Sequence, residues 1–297
     1  MKSYKFINLK LAVGSMFFLF LIALAWTGCK DDTPNPCDNV VCQNGGSCVD
    51  GNCNCPEGFS GNFCEEVDFP YDAGKYVSQM SDFGDGIVQS WVEVDGDGNP
   101  IAIGLTMNEE ALTNLGGRKE VSLQMPEQAA NTLFEHVVLS WSSTGHQPAP
   151  EYRPPHFDFR FYMISEDERS GIQINDFETS PVPPRILPAD YANFDGGNGN
   201  GFSVFFVGVS WSDSMAPEWN GGEFTHSFVY GSHMTNIVFM GPHITEAYLL
   251  TNPNATVDIK QPQEVRRPGY YPTKYSIRYD ADKQEYEVAL ENFVKRD

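Results

Sequence analysis

"EYRPPHFDFRFYM", residues 151–163, decides how this 297-residue chain folds. Side chains of a strand alternate between its two faces. As a strand, the stretch sends His156, Asp158, Arg160 and Tyr162 to one face and Phe157, Phe159, Phe161 and Met163 to the other. A histidine beside a carboxylate points to a metal ligand pair or an acid–base pair. An arginine beside both points instead to a salt-bridged face of a β domain.

Working outward, the neighbouring segments read the same way. "IVQSWVEV" (87–94) and "IAIGLTM" (101–107) flank "DGDGNP", a hairpin signal. "HVVLSW" (136–141), "FSVFFVGVSW" (202–211), "FTHSFVYG" (224–231) and "TNIVFMG" (235–241) are strands rich in aromatic and β-branched residues. "KYSIRYD" and "EYEVALENF" form a closing hairpin around "ADKQ". Two short helices are expected, at 108–115 with Asn108 as N-cap and at 244–251. Residues 68–297 are long enough for one domain. The expected class is β-rich α+β, a mostly antiparallel, barrel-like domain with few helices.

Several local matches carry no chemistry. "DFGDG" (82–86) lacks the other elements of a kinase. "DGDGNP" (95–100) starts like a calcium loop but has Pro100 where glycine is required and Thr106 where the closing Glu belongs. "GVSWS" (208–212) lacks the second glycine of a nucleophile elbow. "GGNGNG" (196–201) precedes a strand, so it offers no helix N-terminus to a phosphate.

The N-terminus stands apart from the fold. Lys2, Lys5 and Lys10 precede the apolar run 11–26, followed by Thr27, Gly28 and Cys29. This is the layout of an export signal, residues 1–28. The small–small–Cys ending resembles a bacterial lipobox, which implies cleavage before Cys29 and acylation of that residue, palmitate included. Trp26 departs from the Leu usual three places before the cysteine. "CKDD" resembles the signal that sends lipoproteins to the surface of some Gram-negative bacteria. Removing residues 1–28 takes away three of the 19 basic residues and none of the 40 acids, so the net charge falls from −21 to about −24. Nucleic acid is excluded as a partner, because phosphates need a basic footprint. The expected membrane partner is reached through acyl chains on Cys29, after which residues 29–36 form an acidic tether.

Six of the seven cysteines lie in "CDNVVCQNGGSCVDGNCNCPEGFSGNFC", residues 37–64, and none follows. An even set in a short exported segment implies a disulfide framework, with fifteen pairings open by spacing alone. Residues 37–65 resemble the EGF-like family at "NGGSC" and at the closing "CPEGFSGNFC". That resemblance implies the pairs Cys37–Cys48, Cys42–Cys53 and Cys55–Cys64. Pro36 stands where calcium-binding members carry Glu or Gln, so calcium is not expected here. The module is read as a spacer.

The large domain resembles an uncharacterised family of bacterial exported proteins, a domain of unknown function. The resemblance runs over most of 87–296 and is carried by "GHQP" (145–148), "PHFDFRFYMI" (155–164), "FTHSFVYG" (224–231) and "YYPTKY" (270–275). It implies a fold and no activity. Where the family has histidines in "HFDFH" and "G-x-HW", this chain has Arg160 and Ser210. Histidines and an aspartate together would suit a transition metal, whereas arginine stays protonated and cannot ligate.

The candidate polar site is therefore His146, His156, Asp158, Arg160 and Tyr162, with Ser210 and His226 approaching from neighbouring strands. The leading reading is a structural network in which Arg160 neutralises Asp158. A small-molecule or glycan pocket comes second. A transition-metal or hydrolytic site using His146, His156 and Asp158 comes third, so no cofactor is expected. The chain reads as an outer-membrane lipoprotein facing the cell exterior, displaying a binding or assembly domain for a glycan, a protein or copies of itself. The alternatives are a metal-assisted hydrolase or metal-binding protein and a structural subunit of an envelope oligomer.

Overall fold

The computed structural model describes residues 35–56, 58–67, 69–173, 182–194 and 203–297. The export signal, Cys29 and the "GGNGNG" segment lie outside the described residues. The chain divides into two compact units with the boundary between Glu66 and Val67.

The first unit is held by disulfides Cys37–Cys48, Cys42–Cys53 and Cys55–Cys64, the pairing that the EGF-like resemblance implies. Its strands are short: β1 (Ser47–Val49) pairs with β2 (Asn52–Asn54), followed by β3 (Phe59–Ser60), with β4 (Glu66–Val67) at the boundary. A unit this small buries too little apolar area to hold itself together, and cross-links supply the constraint. Gly46 is required by packing, since a Cβ there would lie 2.6 Å from Cys64 Sγ.

The second unit is β-rich and antiparallel, as expected. Its strands are β5 (Gly74–Val77), β6 (Ser81–Phe83), β7 (Gly86–Val94), β8 (Pro100–Asn108), β9 (Arg118–Gln124), β10 (His136–Ser142), β11 (His156–Tyr162), β12 (Tyr191–Ala192), β13 (Val209–Asp213), β14 (His226–His233), β15 (Asn236–Thr245), β16 (Asn254–Asp258), β17 (Gly269–Asp280) and β18 (Glu285–Arg296). They form two sheets, one ordered β12-β13-β14-β15-β11-β10-β9 and the other β16-β17-β18-β8-β7-β5, with β6 also on β7. Among the described residues neither sheet closes into a barrel. The inner faces share one core, in which Phe157, Phe159 and Phe161 of β11 meet Leu105, Ile277, Val288 and Leu290 of the other sheet. Ring contacts Phe83–Phe157 and Phe228–Tyr275 cross the interface. Each buried ring removes a large apolar area from water, which is why an aromatic row makes an effective inner face.

Local chemistry explains where the expected elements shift. The segment 202–211 is not one strand: Phe206 has φ 61° and Gly208 φ 88°, which turns the chain before β13 begins at Val209. Residues 109–112 form a 3₁₀ turn, and Asn108 caps nothing there, because its Oδ1 accepts from the Ile87 N–H. "DGDGNP" is a turn in which Asp95 Oδ1 accepts from the Asp97 and Asn99 N–H groups. Among the described residues the α-helices are α1 (Glu166–Ser170), started by a Ser165–Glu168 capping box, and α2 (Glu246–Leu249), capped by Thr245. Among the described residues no helix is long and apolar enough to cross a membrane.

Candidate metal centre

β11 is buried along its whole length on both faces. Its outer face carries the polar row His156, Asp158 and Arg160, which needs partners to survive removal from water. The partners come from three directions. β10 supplies Ser140 opposite Asp158. The loop after β10 turns back at Gly145, where a Cβ would lie 1.9 Å from the Tyr152 carbonyl oxygen, and it carries His146 onto the sheet. β15 places His243 directly opposite Asp158.

Asp158 sits at the centre. Its Oδ2 accepts from Arg160 Nη2 at 2.5 Å and lies 3.3 Å from His146 Nε2. Its Oδ1 lies 3.2 Å from both His156 Nε2 and His243 Nδ1, yet makes no hydrogen bond. His146 Nε2 and His156 Nε2 are 3.0 Å apart. One donor atom from each of His146, His156, Asp158 and His243 falls within 4.8 Å of the others. Four ligands about 2 Å from a central ion at tetrahedral angles lie roughly 3.3 Å apart; the His146–His156, His156–Asp158 Oδ1 and His243–Asp158 Oδ1 separations of 3.0, 3.2 and 3.2 Å match that spacing. Charge-assisted hydrogen bonds are shorter, about 2.7–2.9 Å.

Proton placement sharpens the geometry. His156 Nδ1 faces the Pro154 carbonyl at 2.8 Å, and His146 Nδ1 faces the Gln147 carbonyl. A carbonyl only accepts, so each Nδ1 carries the proton. Each Nε2 of a neutral ring is then a bare lone pair. When both rings are neutral, two lone pairs and a carboxylate converge on one place, and carbonyls behind the rings hold them there, the arrangement that orients metal-bound imidazoles.

The charges agree. Burial raises the Asp158 carboxyl, but Arg160 first and then His243, His146 and His156 outweigh it and hold the group well below the usual carboxylate range. Burial drives His243 well below its ordinary value despite Asp158, so that ring is neutral and free to ligate. Burial opposes charge on His146, but the pull of Asp158 prevails and raises it. The place where the donors converge favours positive charge.

Of the residues expected in the site, His146, His156, Asp158 and Arg160 come together, with Arg160 paired to Asp158 as anticipated. Tyr162 lies further along the same face, stacked on His136 with its hydroxyl donating to the Phe206 carbonyl. Ser210 shares the face, but β14 and β15 separate its strand from β11. His226 does not approach: it pairs with Ile244 in register, faces the inner core and meets the Tyr275 hydroxyl at 2.8 Å. Period-two alternation excludes it, because its neighbour Ser227 is the residue in register with His243. His243 itself was not anticipated. "MGPHIT" resembles a strand end because of Gly241 and Pro242, whereas β15 continues through both.

A model of the TTHB210-like family, described as hypothetical protein TTHB210, matches residues 95–141. The family is uncharacterised, and the matched segment runs from the end of β7 into β10, short of all four donor residues. No curated protein and no solved structure matches the chain.

Proposed function

We propose that the large domain binds a single transition-metal ion through His146 Nε2, His156 Nε2, His243 Nδ1 and Asp158 Oδ1. The observation that carries this reading is the pair of imidazole Nε2 atoms 3.0 Å apart, each with its other nitrogen turned to a backbone carbonyl. Three imidazoles and one carboxylate suit Zn²⁺ or a neighbouring first-row ion, not Ca²⁺ or Mg²⁺, which take oxygen donors. Four protein donors fill a tetrahedron, the pattern of a structural site, whereas hydrolytic zinc keeps a position for water. The ion would pin the loop bearing His146 to β11 and β15, so the role is binding and ordering of the outer face, not catalysis.

The N-terminal sequence supports an exported lipoprotein anchored by acyl chains at Cys29 in an outer membrane, with the disulfide module as an EGF-like spacer. Two or more acyl chains anchor firmly where one does not. Cys29→Ala should release the protein from membranes, and retention of that variant would refute the anchor.

The purified full chain, loaded with Zn²⁺ and dialysed, should retain one equivalent by elemental analysis. His156→Ala and Asp158→Asn should lose it, while His226→Ala should keep it. Failure of the wild-type chain to retain metal would favour the competing reading. In that reading Arg160 and a protonated His146 neutralise Asp158 without an ion, which the Arg160–Asp158 bond supports.

A further inference from the structure

A second feature lies away from the histidine cluster. A cavity of about 550 Å³ opens at the end of the sandwich, between the β14–β15 turn and the segment Pro262–Arg267. Pockets of this size hold small molecules, usually with an apolar lining and a few placed polar groups. Its floor is Met163, Ile186, Tyr230, Met240 and Tyr271, all buried. Both tyrosines offer ring faces only, because the Tyr230 hydroxyl donates to the Lys260 carbonyl and that of Tyr271 to the Arg267 carbonyl. Met234 at the rim is 60% exposed.

The rim also carries Arg266 and Arg267. Arg266 Nη1 donates to Thr235 Oγ1 at 3.1 Å, and Arg267 Nη1 donates to the Met163 carbonyl. Among the described residues neither guanidinium is ion-paired to a carboxylate within 4.0 Å. Of the two rim carboxylates, Glu264 pairs with Arg185 at 2.8 Å, and Glu168 closes the capping box of α1 while also feeling the charge of Arg267. In a chain of net charge −21, two arginines with no carboxylate within 4.0 Å among the described residues stand over an apolar hole and form a local site for an anion with an apolar body.

We propose that this cavity binds a free long-chain carboxylate, with the alkyl chain on the methionine and tyrosine floor and the head group at Arg266 and Arg267. The test uses the full chain and the fluorescent fatty acid cis-parinaric acid. Saturable one-to-one binding is expected. Ile237→Trp and Val265→Trp, each at a half-buried wall position, should abolish it by filling the space. Arg266→Glu should weaken it about tenfold or more, the cost of one charge-assisted contact. The methyl ester of the probe should bind weaker by a similar factor. Absence of saturable binding, or binding unchanged in both tryptophan variants, would overturn the assignment. Equal affinity for the methyl ester would overturn the role of the arginines. Uptake of a fluorescent phospholipid from vesicles without binding of the free acid would overturn the choice of ligand.

Discussion

Arg160 and His136 show how single side chains set the properties of the outer face. Arg160 is 6% exposed and holds Asp158 Oδ2, while Oδ1 faces two imidazoles. The guanidinium therefore neutralises one oxygen and leaves the other to ligate. Removing one partner of a buried pair strands the other charge, at a cost of about 3–5 kcal/mol. Arg160→Met should lose that much stability to urea in chelator-treated protein, and less after Zn²⁺ is restored, because the ion also balances Asp158. An equal loss in both states would mean that the ion and the arginine do not share the carboxylate. His136 governs the acid response of the same face. It is fully buried against Tyr162, and burial lowers its pKa to about 4, with Glu166 favouring charge and Arg169 opposing it. The unfolded chain takes up that proton below about pH 6.5, the folded chain only near 4. Its contribution is thus complete above pH 6.5 and is lost as pH falls toward 4, by up to about 3 kcal/mol. His136→Phe should keep the stack and flatten that part of the pH profile. A variant as acid-sensitive as the parent would place the titration elsewhere.

At the scale of elements, much of the sheet was readable because alternation is a local property. The faces of β11, the β7–β8 and β14–β15 pairs and the closing hairpin follow from period two and turn residues. Two things were not readable. The apolar run 202–211 carries one breaker, Gly208, inside an otherwise strand-like stretch, and the left-handed backbone at Phe206 and Gly208 turns the chain there. His243 was hidden by Gly241 and Pro242, which ordinarily end or expose a strand. Here β15 lies between β14 and β11, and a Cβ on Gly241 would sit 1.8 Å from the Phe159 carbonyl oxygen. The glycine permits a backbone approach that lets the strand run on to deliver His243. Alternation carried through Phe239, Gly241 and His243 would have found it. Gly241→Ala should push β15 from β11, so that the variant loses Zn²⁺ retention at least as fully as His243→Ala. An alanine variant that folds and holds the ion as tightly as the parent would remove the glycine from this role.

At the scale of the whole chain, the two units rest on different stabilising devices, and this separates their unfolding. All six paired cysteines lie between Cys37 and Cys64, whereas the unit from Val67 onward has none and relies on its aromatic core. Reductant should therefore unfold the module and leave the main thermal transition in place. Loss of three cross-links, each contributing about 2–4 kcal/mol, exceeds what so small a unit can spare. The metal should act in the opposite sense. An ion that binds only the folded domain stabilises it by mass action, about 2.7 kcal/mol at a hundredfold excess over Kd. For a domain of this size that raises Tm by roughly 5–10 °C. Calorimetry with and without reductant, each with Zn²⁺ or chelator, should give a large transition that follows the ion and ignores the thiol. If reductant lowered that transition as far as chelator does, the two units would not be independent in stability. If neither treatment moved it, the site would hold no ion in solution, and the neutralising work of Arg160 would suffice for the folded state.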